Sequence, residues 1–173
     1  MEIEIRTIRK GKDLLAIDTG QLLHLINSLV REHSFIITDR KYTKKDEIGW
    51  KKENAKEIDL RQKLFVAAFV SGKLAGLCEV RDGRGKERYN IFFGMSVGKK
   101  YRHHSIGDEM LSVAMDEGKQ RFKAKNVYIA YHGENTVARD MYKKFGFREI
   151  ARLPGYTYHY GKFVDRVIMQ LEK

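Results

Sequence analysis

At 173 residues the chain is long enough to bury a substantial core, and residues 1–173 are read as a single domain. The longest clean apolar run, residues 64–70, is far too short to cross a bilayer, nothing resembles a signal peptide, and Cys78 as the sole cysteine excludes an intrachain disulfide and a cysteine metal cluster. A formal net charge of +11 with a pI near 9.7 favours anionic partners, so a cytoplasmic protein that meets an anion, not a membrane, is expected.

The first predicted element is a strand over residues 2–8, where charged residues alternate with Ile. Residues 13–30 place Leu14, Leu15, Ile17, Leu22, Leu25, Ile26, Leu29 and Val30 at helical spacing, as one helix or two broken near Gly20. Residues 43–62 are helical in composition but weakly amphipathic, with Ile48, Trp50, Ile58 and Leu60 set among charges. Strands over 64–70 and 74–81 flank the tight turn Ser71-Gly72-Lys73, and a turn over 82–86 leads into a third antiparallel strand, 89–97. A helix follows from Ser105, its expected N-cap, with Asp108 and Glu109 where the helix dipole favours acids and a stripe through Met110, Leu111, Ala114, Met115 and Gly118. Residues 126–131 form a short strand, Asn135 begins another helix that Gly146 closes, and residues 147–153 and 163–171 are the last strands. Lysines over 40–56 and 119–125 are interleaved with acids, which describes solvated helix faces better than a nucleic-acid groove.

The chemistry concentrates at residues 95–111. An apolar strand through Met95, Ser96 and Val97 enters a basic loop carrying Lys99, Lys100 and Arg102, and the helix from Ser105 follows at once. N–H groups at a helix N-terminus lack intrahelical partners, so this junction suits an anion and a bound ligand is expected to carry phosphate. Arg102-His103-His104-Ser105-Ile106-Gly107 resembles the pyrophosphate-binding loop of the GCN5-related N-acetyltransferases, a pattern of Arg or Gln, two variable residues, Gly, one variable residue, then Gly or Ala. Ser105 stands where the first glycine is usual, a departure least comfortable if the position needs a positive φ. Asn135, Ala138, Tyr142 and the pair Gly146-Phe147 resemble the family's other signature in order and separation. Residues 155–169, from Gly155 through Tyr156, Tyr158, His159 and Tyr160 to Asp165 and Met169, resemble the C-terminal signature of members acting on small amines and on ribosomal protein N-termini; without a ligand they read as a polar-aromatic hairpin.

The resemblance implies an α/β (α+β) fold of the acyl-CoA N-acyltransferase type, with a mixed central sheet splayed between its fourth and fifth strands and helices on both faces. It implies acetyl-CoA as co-substrate, with phosphates on Arg102, His103, His104, Ser105, Ile106 and Gly107. The pantetheine arm then lies beside Met95, Ser96 and Val97, and a main-chain N–H near Val97 polarises the thioester oxygen. Asn135 binds pantetheine, caps its helix, or does both. Tyr142 falls where the family's tyrosine meets the cofactor sulfur and is the expected general acid; the competing reading is a core tyrosine whose hydroxyl is satisfied by backbone. The glutamate that several relatives use as a base corresponds to Ala130 here, which leaves Glu79, His132, Glu134 or water, with Glu79 the first candidate because it alternates with Leu77. Cys78 lies in an apolar strand with no activating neighbour in sequence, so direct transfer in a ternary complex is expected rather than an acetyl-enzyme. Adjacent His103 and His104 lack the spacing of a metal site, and no metal is expected.

The expected activity is therefore acetyl-CoA-dependent N-acetyl transfer to an amine, either a small amine or amino acid or a protein amine, by a monomer or homodimer. The alternative is a catalytically degenerate basic module that keeps the fold and binds nucleic acid or senses coenzyme A.

Overall fold

Along β2 (Lys63–Val70) every residue after Lys63 is buried, and the two alternating sets enter different cores. Leu64, Val66, Ala68 and Val70 join one cluster, whereas Phe65, Ala67 and Phe69 join the other. A strand covered on both faces has no polar side, which is why this stretch is a continuous apolar run. The computed structural model describes residues 2–172 and gives the remaining elements as β1 (Ile3–Ile8), α1 (Gly11–Ala16), α2 (Thr19–Arg31), α3 (Lys44–Asp59), β3 (Lys73–Asp82), β4 (Asn90–Val97), α4 (Ile106–Phe122), β5 (Asn126–His132), α5 (Thr136–Lys144), β6 (Phe147–His159) and β7 (Lys162–Leu171).

The strands form a seven-stranded sheet in the order β1-β2-β3-β4-β5-β7-β6. Its neighbours are antiparallel except β4 and β5, which are parallel, so the sheet is mixed as expected. α4 and α5 bury Ile106, Met110, Leu111, Ala114, Ala138 and Tyr142 against one face. α1, α2 and α3 bury Leu14, Leu22, Leu25, Leu29 and Ile58 against the other. Ser71 (φ 47°) and Gly72 (φ 75°) are both left-handed in the β2–β3 turn, the type I′ geometry that suits the strands' twist.

Two boundaries differ from the sequence reading, those of the α1–α2 break and of β6, whereas the helix expected over 43–62 forms over Lys44–Asp59. The break in the first helical stretch falls at Ile17 and Asp18, not at Gly20, because the Asp18 carboxylate accepts from Gln21 N–H (2.9 Å) and starts a new helix. α3 is a full helix despite its weak hydropathy pattern, because Thr43 and Asp46 form a reciprocal capping box. β6 does not stop at Leu153 but continues to His159 through an irregularity between Leu153 and Thr157. There the Asp165 carboxylate accepts from Gly155 N–H (3.0 Å) and pairs with Arg152 (3.1 Å). Pro154 is tolerated because β6 is the edge strand of the sheet.

Candidate active site

β4 and β5 pair from Asn90↔Asn126 to Phe93↔Ile129 and no further. Beyond that point β4 continues against β3 to Val97, and β5 continues against β7 to His132, so the two strands part in the middle of the sheet. Gly98 N–H donates to Ala75 C=O and Gly133 N–H to Asp165 C=O, each at 2.8 Å. Strand alternation then turns Gly94 and Ser96 toward β3 and leaves the main-chain groups of Met95 and Val97 facing the gap, across from those of Ala130 and His132. Open strand edges inside a protein leave polar groups in want of partners. The Val97 carbonyl has one in Arg102 Nε, at 3.0 Å; its N–H remains for a ligand.

The loop after β4 is built to present N–H groups. Among the described residues, the N–H groups of His103 through Asp108 have no protein acceptor, and Glu109 N–H is the first to bond back, to Ser105 C=O at 3.0 Å. Ser105 occupies the N-cap position but its side chain caps nothing; it is left-handed (φ 59°), as is His103 (φ 64°). Such backbone reversals gather successive N–H groups into a concave anion site. A Cβ added at Gly107 would find its nearest protein atom, Met141 Sδ, 3.5 Å away, so the protein itself leaves that space open. Arg102 has a further task. Besides Val97 C=O, its guanidinium holds the Glu32 carboxylate and Ser34 Oγ (3.2 Å), tying the loop to the end of α2. No sequence pattern marked Glu32, because its partner lies far along the chain.

Tyr142 reaches the gap from α5. It is 5% exposed, set against Tyr131 and Phe147 with ring centroids 6.2 Å apart in both cases. Its hydroxyl has no hydrogen-bond partner among the described residues, so the tyrosine is not one satisfied by backbone, and it lines a cavity of about 390 Å³. Burial pushes the phenol well above its ordinary value and keeps its proton on. Asn135 caps α5, its Oδ1 accepting from Ala138 N–H at 3.1 Å, and lines the same cavity. Cys78 is fully buried and its thiol is pushed up by burial, which suits packing and not nucleophilic attack.

The cavity continues through the gap to the face covered by α2 and α3. Glu79 lines it there, 3.6 Å from Lys63, whose ammonium also pairs with Glu57 at 2.7 Å. His132 lines it too; burial, helped by Arg166 and His159, lowers its pKa, so the imidazole is neutral at pH 7. Glu134 instead pairs with Lys162 on the hairpin at 2.7 Å. That hairpin closes one side: His33 stacks on Tyr160 (3.8 Å) and Phe35 on His159 (4.6 Å). A residue the sequence reading missed completes the wall. Glu47 of α3 lines the cavity at 3% exposure, its carboxyl pushed up to about 7 by burial, which Lys51 only partly offsets. The described residues hold no cluster of three or more His, Cys, Asp or Glu able to bind a metal, and no helix long and apolar enough to cross a membrane.

The model of the acetyltransferase (GNAT) family matches residues 24–147, a stretch that includes the loop, the gap and Tyr142. The chain belongs to the GNAT acetyltransferase family. This GNAT chain is 23% identical over 161 residues, 90% of its own length and 89% of the relative's, to an L-methionine sulfoximine/L-methionine sulfone acetyltransferase of Salmonella typhimurium. It is 34% identical to an N-alpha-acetyltransferase of Sulfurisphaera tokodaii over 62 residues, which span 36% of this chain and 37% of that protein. Its fold is shared with YncA of Salmonella typhimurium, solved with its cofactor acetyl-CoA, at a TM-score of 0.78 and 20% identity over 99% of this chain and 94% of that one. In this GNAT chain Met95, Ser96, Asn135 and Tyr142 line one cavity, while the loop from Arg102 to Gly107 follows β4 outside that lining.

Proposed function

We propose that this GNAT chain transfers an acetyl group from acetyl-CoA directly to an amine, with both substrates bound together. One observation carries the reading: a single cavity joins the open edges of β4 and β5, the unpaired Tyr142 hydroxyl and an acidic wall on the opposite face of the sheet. The residues present fit the co-substrate. Unpaired N–H groups from His103 through Asp108 suit the pyrophosphate oxygens, with His103 and His104 exposed beside them. The open edge at Met95 and Val97, with Ser96 between them, suits the amide groups of the pantetheine arm, and Val97 N–H is the donor for the thioester oxygen.

Acetyl-CoA supplies a thioester whose carbonyl carbon bonds to the amine nitrogen as its C–S bond breaks. The chain's residues then account for the protons. An acceptor arriving as R–NH3+ gives its first proton to a carboxylate of the acidic wall formed by Glu47 and Glu79, of which Glu79 is already paired with Lys63. The Tyr142 hydroxyl protonates the departing sulfur, and the second proton of the nitrogen restores the phenol. A free thiol has a pKa of about 8.5, and the dry site that raises the phenol raises a thiolate as well, so the transfer stays within reach. Ile106 and Gly107 orient the first turn of α4 beneath the phosphates. The mostly apolar cavity of about 390 Å³ and the relative matched along 90% of the chain support a small amine or amino acid over a protein amine.

The test is thiol release from acetyl-CoA with a panel of amino acids, small amines and peptides bearing free N-termini. Turnover is expected with the small acceptors, and Tyr142→Phe is expected to lower kcat about a hundredfold with little change in acetyl-CoA affinity. Full turnover by Tyr142→Phe across the pH profile would remove the acid role. A chain that binds acetyl-CoA but turns over no amine would overturn the transfer reading.

A further inference from the structure

The buried stripe of α3 carries three polar residues, Glu47, Lys51 and Asn54, and two of them are explained by structure. The Lys51 ammonium donates to Leu15 C=O (2.9 Å), Ile17 C=O (2.5 Å) and Thr19 Oγ1 (3.2 Å), fixing the turn between α1 and α2. Asn54 donates to Trp50 C=O (2.8 Å) and accepts from Lys63 (2.7 Å), fixing the start of β2. Glu47 has neither a hydrogen bond nor an ion pair among the described residues, although it is 3% exposed and lines the cavity. A buried carboxyl without a partner is unfavourable, and here only the charge of Lys51 partly offsets the burial. The cavity that Glu47 lines is walled largely by aromatic and aliphatic residues, among them Trp50 one turn along the helix, Phe65 set edge-on to Trp50 at 5.5 Å, Phe35, Tyr42 and Leu22. An unpaired acid in an apolar box is complementary to a cation on an apolar body.

Resting on the acetyltransferase reading, we propose that Glu47 binds the acceptor's ammonium group and takes its proton, and that the acceptor is a primary amine on a compact hydrophobic body. The step balances: an N–H bond of R–NH3+ breaks, an O–H bond forms on Glu47, and the nitrogen lone pair is freed for the thioester carbon. Glu79, the other carboxylate of the wall, already has Lys63 beside it. A carboxyl that ionises near neutral pH is also matched to this exchange. The charged and titratable groups that share the cavity with Glu47 are Glu79 and Arg81 of β3, Tyr131 and His132 of β5, Tyr142 of α5, Arg166 of β7 and Tyr42, with Lys51 on its own helix.

Trp50 is the sole tryptophan, so its fluorescence reports on this box without any turnover. The free protein is titrated with 2-phenylethylamine and with the neutral 2-phenylethanol, using wild type, Glu47→Gln and Glu79→Gln. The amine is expected to change Trp50 emission saturably in wild type. Glu47→Gln is expected to bind it about tenfold more weakly or worse, Glu79→Gln within threefold of wild type, and 2-phenylethanol to bind weakly to all three. Wild-type affinity should rise with pH and level off above about 7, a dependence absent from Glu47→Gln and measurable even if other variants fold poorly. Equal binding by wild type and Glu47→Gln, loss confined to Glu79→Gln, or no binding by wild type would overturn the assignment. Amine binding through Glu47 in this titration, together with no thiol release when acetyl-CoA is supplied, would refute the proposed function alone. Wild-type kcat/KM in Glu47→Gln would refute this inference alone.

Discussion

A carboxyl that is buried and unpaired ties stability to pH, and Glu47 does so in a direction opposite to an ordinary ion-paired acid. Its folded-state pKa, about 7, lies above the 4.5 of an exposed glutamate, so the folded chain holds this proton more tightly than the unfolded chain does. That contribution is fully present below pH 4.5 and is lost as pH rises through 7. Glu47→Gln cannot lose it. Urea unfolding is therefore expected to find the two chains similar near pH 4.5 and the variant more stable by ~2–3 kcal/mol at pH 8, whereas a gap independent of pH would show that Glu47 ionises freely. Motif residues such as Tyr142 and Asn135 were legible in sequence as candidates because fixed spacing sets them on one helix. Glu47 was not. Its environment is assembled from β2, β3 and the stretch before α3, and one more charge in a lysine- and glutamate-rich helix carries no mark of burial.

At the level of elements, the pattern that best predicted structure was alternation and periodicity around a single core. β3, β4, β5 and α5 were read within a residue or two and α4 at its start, and the sheet's parting after Phe93 and Ile129 agrees with the splay that the resemblance implied. α3 was the weakest because most of its buried face is polar, and its start is set by the Thr43–Asp46 capping box rather than by hydropathy. The β6 extension was hidden by Pro154 and Gly155, residues that ordinarily end a strand but here sit in an edge irregularity held by Asp165. The phosphate loop shows the converse, a motif legible by resemblance whose departure has a structural cost. Ser105 adopts φ 59° without gaining a cap, a conformation that disfavours an L-residue by about 1–2 kcal/mol. Ser105→Gly is expected to raise stability by ~0.5–1 kcal/mol in urea and leave acetyl-CoA affinity within threefold. A loss of stability would mean that the hydroxyl has a role in the folded loop.

For the whole molecule, the sheet divides the labour. The face packed by α4 and α5 carries the basic loop and Tyr142, the face packed by α1 to α3 carries Glu47, Glu79 and Trp50, and the parting of β4 and β5 joins them. A net charge of +11 was legible at once as an attraction for anions, yet charge alone did not say where; the unpaired N–H groups after β4 mark the candidate site. Calorimetric titration of acetyl-CoA into the wild-type chain and Arg102→Ala, in low and physiological salt, tests the central claim most directly. The expected result is wild-type binding on the order of micromolar. It should be weakened about tenfold when Arg102 no longer ties Val97 and Glu32 to the loop, and weakened further by salt. A well-folded wild-type chain that takes up no acetyl-CoA would contradict it.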